Sequence, residues 1–519
     1  MIEGSSARSP AAACFEPASV NYASMGPVGM AYTMHTTARS AALALVVVWG
    51  VWAPAPCRAS EVRVQTRTYG EAYTLRLTGL AGATAPRRRL VQYVNLGVYD
   101  LLPPTDASTL RRDPEDGQLR IVTSMRLRHD FGAYLREAEQ DAQRLVDTID
   151  GRQVDVMYAF VEGTRLGGWL DARVGRQFSM TGLDFYAFDG GWLRARTPAH
   201  LGIAVASGLM VRGADVLGAP NYELDGTDTS AHRRAVAPMV AVEASLLDVP
   251  GWIASVGWRQ TFETAPSSEQ RADLNLPESS AVLESLLAAR LAWRGPRGRL
   301  AVDSSIRYDF GQAAITDGRV EVRSRLTKLH GASLSYQHTT PIFSLDSIFN
   351  VFDLAVVELG QLTWDVTLGP RWQLSSHGLV RIFRDDAGGS SWSSPVAATS
   401  QGGGLSVAYR GRLRGMMDAR AIAGEGGARV SGFADVASSL LWDRLVLEGR
   451  LYGNYVDRAE TPWSEGWNTS LQAIVRGNLW DGISLSWLAE PGTGSRWRWS
   501  FRTMLLLSMD WQVRGGARR

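Results

Sequence analysis

The chain has 519 residues, 45% of them hydrophobic and 20% charged, with 53 glycines, 18 tryptophans and a net charge of +2. That near-balance of charge excludes a bulk polyanion-binding surface and gives no reason to expect a nucleic-acid partner. Lys328 is the sole lysine, so almost all the positive charge is arginine.

Arg39 precedes an apolar run from Ala41 to Trp52, then Pro54 and Pro56, then Cys57, Arg58 and Ala59. A positive flank, a short apolar core and small residues at the cut describe a secretory signal, with cleavage expected after Ala59. The run is shorter than the roughly 20 residues a spanning helix needs. Met34 is a natural start, so residues 1–33 read as an extension, 34–59 as the signal peptide and 60–519 as the exported domain. Cys57 lacks the leucine and small residues that precede a lipoprotein cysteine. Cys14 and Cys57 both fall in the removed part, which leaves an exported chain without disulfide, thiolate metal site or cysteine nucleophile.

From about residue 70 the chain repeats alternating segments separated by turn residues. Arg126 and Arg128 alternate with Met125 and Leu127. The stretch 99–118, with Pro103 and Pro104, is a loop without an assigned place. Ala133 to Ile149 departs from the pattern: Leu135, Ala138, Ala142, Leu145, Val146 and Ile149 have helical spacing. It reads as a short amphipathic helix, either on the surface or constricting a lumen. Asp171 and Arg173 share one face of the next segment, and Arg194 and Arg196 one face of another. Further alternating segments are 300–310 (with Arg307), 405–410 and 445–452. The last runs from Trp497 to Trp511, with Trp499, Phe501, Leu505, Leu507 and Met509 on one parity and Arg498, Ser500, Arg502 and Asp510 on the other. Period two marks β-strand, and this one is nearer to membrane-spanning length than to a soluble strand.

The connections alternate in length. Tight turns at 248–251, 295–298, 369–370, 411–412, 442–444 and 480–482 separate long polar stretches at 213–234, 263–283, 340–358, 384–400 and 457–467. Long loops at one end and short turns at the other characterise outer-membrane barrels. The expected fold is therefore all-β: a transmembrane antiparallel β-barrel of about 18–22 strands with one short amphipathic helix.

In such a barrel the apolar parity faces lipid, where arginine at mid-depth costs about 2–4 kcal/mol. The other parity lines the pore, so Arg126, Arg128, Asp171, Arg173, Arg194, Arg196, Arg307, Arg498 and Arg502 are expected there. An arginine ladder would attract anions. The plainer alternative is that these arginines pair with Asp155, Asp171, Asp303, Asp309 and Glu448 and merely fill the interior. Arg176 falls on the lipid parity and is not assigned to the pore. Trp442, Trp480, Trp497 and Trp511 are expected at the membrane interfaces, where aromatic rings are favoured. No phosphate-binding loop, serine elbow or His-Glu-x-x-His pattern occurs, and the acidic stretches near 223–228 and 384–389 lack calcium-loop spacing. No cofactor or metal is expected.

Val174, Gly175, Arg176 and Gln177, then Gly182, then Phe188, Asp189 and Gly190, then Arg194, Arg196, Thr197 and Pro198, form a series. It resembles a pattern in porin-like outer-membrane families of alginate-export and phosphate-selective type, and in myxobacterial-type porin-like proteins. The resemblance implies a diffusion channel with a positively charged lumen. Those barrels usually end at a terminal aromatic, whereas here Trp511 is followed by Gln512 to Arg519.

The reading is an exported outer-membrane channel, not an enzyme, for small polar or anionic solutes. Its partners would be the lipid bilayer, those solutes and the barrel-assembly machinery; the oligomeric state is left open. The alternatives are a structural or adhesive barrel with an occluded lumen, and a barrel-embedded hydrolase.

Overall fold

A computed structural model describes residues 61–77, 84–102, 117–133, 151–211, 237–262, 282–340 (without 312), 356–384, 395–457 (without 425, 426, 442 and 443) and 465–514 (without 496). The expected signal peptide, most of the 133–149 helix, most of 99–118 and Trp442 lie outside the described residues.

Alternation of apolar and polar residues, interrupted by Gly, Pro and Asp at turns, gives strands throughout. They begin with β1 (Glu61–Leu77), β2 (Thr84–Tyr99), β3 (Gln118–Ala133), β4 (Gly151–Leu166), β5 (Leu170–Thr181) and β6 (Asp184–Arg196). Next come β7 (Leu201–Met210), β8 (Pro238–Leu246), β9 (Trp252–Phe262), β10 (Val282–Arg294) and β11 (Leu300–Asp309). β12 (Ala314–Arg325), β13 (His330–Thr339), β14 (Val356–Leu368), β15 (Trp372–Arg384) and β16 (Val396–Arg410) follow. The chain closes with β17 (Leu413–Gly424), β18 (Gly427–Leu440), β19 (Leu445–Asp457), β20 (Gly466–Trp480), β21 (Ile483–Gly494) and β22 (Trp497–Arg514).

Each strand pairs antiparallel with its sequence neighbour, and β1 pairs with β22 from Glu61↔Arg514 to Leu77↔Trp497. The 22-stranded sheet is thereby a closed barrel without an edge, at the top of the expected range. Among the described residues no helix is long and apolar enough to cross a membrane; a barrel crosses with strands.

The sequence-read turns at 248–251, 295–298, 369–370, 411–412 and 480–482 all lie at the end of the barrel that holds Glu61 and Arg514. The long connections lie at the other end. Length sorting has exceptions: β2 and β3 are joined by the longer 100–117 at the short-turn end, while β5–β6, β11–β12, β17–β18 and β21–β22 turn tightly at the opposite end.

Register separates two faces. In β22, Trp499, Phe501, Leu505, Met509 and Trp511 are exposed on one face, and Arg502 and Asp510 on the other bond to Glu71 and Arg63 of β1. In β7, Leu201, Ile203, Val205 and Leu209 are exposed, while Ala204 and Ala206 on the opposite face are buried. The apolar face is thus the outside and the polar face the inside, the reverse of a soluble domain.

One apolar cluster sits inside. Leu183, Tyr186, Phe188, Ala206, Met239, Ala241, Leu286 and Ala288 pack together, and all but Leu183 come from the inward face of β6–β10. Leu183 belongs to the β5–β6 turn. A Cβ on Gly257 of β9 would meet its side chain at 3.0 Å, and one on Gly182 would meet Ala288 of β10 at 3.5 Å. The tip of the β5–β6 hairpin therefore leans into the barrel and rests on the inner wall.

Glycines make that lean possible. Gly175 of β5 pairs with Gly190 of β6, which pairs with Gly208 of β7. A Cβ at each would stand 2.1–2.3 Å from a carbonyl oxygen of the adjacent strand, so no larger residue fits the crease. Gly175 also has φ 125°, a conformation glycine adopts freely.

Candidate functional site

The inner wall of β3–β6 carries the densest arrangement of charge. β3–β4 register sets Arg120 opposite Glu162, and β4–β5 register sets Glu162 opposite Arg173. Glu162 accepts from both: Arg173 Nη2 reaches Oε1 at 2.5 Å, and Arg120 bonds Oε2. One step along, Asp171 stands opposite Arg194. Its Oδ2 accepts from Arg194 Nε at 2.7 Å and Arg196 Nε at 2.9 Å, and its Oδ1 from the Arg165 backbone N–H at 2.8 Å.

The pairs have a consistent depth order. The Asp171 and Glu162 side chains are 1% and 5% exposed, whereas Arg194, Arg196, Arg173 and Arg120 are 27%, 21%, 24% and 43% exposed. Carboxylates lie against the wall and guanidiniums stand toward the lumen. Two further carboxylates repeat the motif: Glu71 with Arg89 and Arg502, and Glu321 with Arg319 and Arg323. One carboxylate between two arginines leaves one net positive charge at Glu162, Asp171 and Glu321, whereas at Glu71 the second arginine, Arg502, also lies 3.9 Å from Glu490 and the charges balance. The Arg63–Asp510 and Arg290–Asp303 pairs are one-to-one and exposed on both sides, so they add no net charge.

Aromatic rings hold the arc. Arg173 lies 4.9 Å from the Phe160 ring and 5.4 Å from that of Trp192, and Arg194 lies 5.2 Å from Trp192. Such contacts orient a guanidinium without consuming its N–H donors.

The sequence-read residues are distributed as follows. Asp171, Arg173, Arg194 and Arg196 come together in the arc. Arg126 is buried against Asp155, with Nη2 2.7 Å from Oδ2, and Arg128 is two residues along the same face. Arg307 lies on the inward face of β11, across the barrel, and donates to Thr316 Oγ1 at 2.9 Å. Arg502 joins β22 to β1 through Glu71 at 2.7 Å. The side chains of Arg498 and Trp497 are outside the described set. Trp480 and Trp511 are exposed on the outside at the short-turn end.

Arg176 is on the outward face, as its parity indicates, and forms a two-pronged pair with Asp189 at 2.7 and 2.8 Å. The Gly-Arg-Gln and Phe-Asp-Gly elements are thus one registered unit, with Gln177 Nε2 also donating to the Gly190 carbonyl at 3.0 Å.

Glu162, Arg120, Glu71, Arg89 and Glu321 were not read as site residues. Parity places each on the inward face, but their partners depend on register, which a single strand does not reveal. Among the described residues, no cluster of three His, Cys, Asp or Glu side chains is placed to hold a metal.

A closed, even-stranded antiparallel barrel, apolar outside and charged inside, is a transmembrane β-barrel of the outer-membrane type. No protein-family model matches the chain, and no curated protein matches it in sequence. Among solved structures it is similar to Acinetobacter baumannii OccAB4, at 9% identity and a TM-score of 0.41, covering 88% of this chain and 100% of that one. Pseudomonas aeruginosa OccK7 (OpdD) is similar at 10% identity and a TM-score of 0.40, covering 87% of this chain and 100% of that one. Likeness this distant adds nothing to the reading of the site, which rests on the register and contacts above.

Proposed function

We propose that the protein is a diffusion channel for small polar solutes that prefers anions. The observation that carries this reading is the depth order in the β3–β6 arc, where recessed Glu162 and Asp171 are each shared by two lumen-facing arginines. The chain as a whole is nearly neutral, but the surface a solute meets along β3–β6 is positive. Charge lining a pore selects for the opposite sign.

Size supports passage. A circular barrel of 22 strands, spaced about 4.8 Å apart and tilted about 40°, has a backbone diameter on the order of 40 Å. Side chains alone do not fill that width, and the β5–β6 hairpin narrows one side of it.

The outside supports a membrane setting. Trp499 and Trp511 are twelve residues apart on the outward face of β22, or about 28–30 Å along the membrane normal at that tilt. Trp467 and Trp480 have a similar spacing in β20, and Trp252, Trp293, Trp372 and Tyr409 lie near the short-turn end. We read these rings as two interfacial girdles about one apolar band apart. Export by residues 34–59 and insertion by the barrel-assembly machinery complete the reading.

The test is a planar bilayer containing the purified protein under a potassium chloride gradient. A reversal potential on the chloride side is expected. Absence of conductance rules out the channel, and cation preference rules out the role given to the arginines.

A further inference from the structure

The short-turn mouth between β10 and β14 holds a cavity of about 710 Å³. Six cationic side chains line it, Arg294, Arg297, Arg299, Arg323, Arg325 and Lys328, against a single carboxylate, Asp365. All six cations are exposed. Arg323 is paired with Glu321; among the described residues the other five make no ion pair.

The frame around them is fixed by backbone hydrogen bonds. Arg325 N–H donates to the Arg299 carbonyl at 2.7 Å, Arg294 N–H to Gly251 at 2.7 Å and Thr367 N–H to Leu329 at 2.8 Å. Arg297 and Gly298 take φ of 65° and 62°, which turns the Gly295–Gly298 hairpin tightly and sets Arg297 beside Arg299. Register puts Arg294, Arg323, Arg325 and Asp365 on the inward face. The cavity therefore opens to the aqueous lumen side and not to lipid.

Five unpaired cations around one cavity repel one another. A monovalent ion relieves little of that repulsion, whereas a multiply charged oxyanion meets several of them at once. Guanidiniums add matched two-pronged donors for phosphate or carboxylate oxygens. We propose that this mouth cavity is a binding site for a soluble, multiply charged oxyanion. The site is distinct from the β3–β6 arc. Four strand spacings separate Arg196 of β6 from Arg294 of β10, roughly 19 Å along the sheet at about 4.8 Å per strand, so no small anion touches both.

Isothermal titration of the full-length barrel in neutral detergent with inorganic tripolyphosphate tests this. Binding is expected, weakened at least tenfold in Arg299→Gln/Arg325→Gln/Lys328→Gln and retained in Arg194→Gln/Arg196→Gln. The single Lys328→Gln change, on an exposed turn, is expected to weaken binding severalfold with an unaltered thermal unfolding profile. It stands in should the triple variant fail to fold. Absence of binding, equal affinity in the mouth variants, or loss only in the arc variant overturns the proposal. The titration needs a folded barrel but not a conducting one, so a barrel that binds without conducting separates this site from the channel reading.

Discussion

A carboxylate gripped by two arginines fixes their positions and cancels only half their charge. At Glu162 this predicts opposite outcomes for neighbouring substitutions. Glu162→Gln adds one net positive charge to the lumen wall, and Arg173→Gln removes one. A unit charge about 8 Å from an ion's path in water is worth about 0.5 kcal/mol, or about twofold in permeability. Because the same charge helps anions and hinders cations, Glu162→Gln is expected to raise the anion-to-cation ratio by about fourfold and Arg173→Gln to lower it by as much, read from reversal potentials at low salt. Asp171 has a larger structural share, because it accepts from Arg165 N–H as well as from Arg194 and Arg196. Asp171→Ala leaves the Arg165 N–H without its acceptor and two lumen-facing arginines without their carboxylate, and is expected to cost about 1–3 kcal/mol, measured by urea unfolding. The inward placement of these arginines was legible from parity. That Glu162 joins Arg120 to Arg173 across three strands was not, because it depends on which rungs face each other.

At the scale of the element, the β5–β6 hairpin turns a motif into geometry. The sequence series around Gly175–Gln177 and Phe188–Gly190 had suggested a kind of barrel without indicating what the residues do. Register shows Gly175 and Gly190 forming a crease, Arg176 and Asp189 locking the outer side of it, and Leu183 touching down on β9 and β10. Alternation reports which face a residue occupies but not where a sheet bends, so the lean was not read in advance. The glycines were its only visible trace. Leu183→Glu places a carboxylate in the apolar cluster and is expected to undock the hairpin at a cost of about 2–4 kcal/mol. Single-channel conductance should then rise above that of the parent, and the tip should become open to proteolysis. Unchanged conductance would mean that the hairpin does not narrow the path. Gly190→Ala acts from the crease, where its Cβ would collide with the Ser207 carbonyl oxygen, and should give the same phenotype.

For the whole molecule, the strand pattern, the sorted turns and the even count were legible because each follows from period two and turn chemistry. Closure was less so. It rests on the β1–β22 ladder and on Arg63–Asp510 and Arg502–Glu71, contacts between residues more than 400 positions apart. The inside-out arrangement can be tested on two adjacent residues of that closing strand. Leu505 is exposed on the outward face midway between Trp499 and Trp511, and Leu506 stands on the inward face opposite Tyr69. The two share residue type and strand, and differ by one step along the chain and by face. Arginine on the lipid side at mid-depth costs about 2–4 kcal/mol, whereas lumen positions tolerate charge. Leu505→Arg is therefore expected to lower folding stability in lipid vesicles by that amount, while Leu506→Arg stays within about 1 kcal/mol of the parent. In detergent titrations without a bilayer the gap between them should shrink, because the headgroup region moves to meet the charge. Equal costs in vesicles would mean that the Trp499–Trp511 face does not meet hydrocarbon, and with it the assignment of every inward arginine to the lumen would fall.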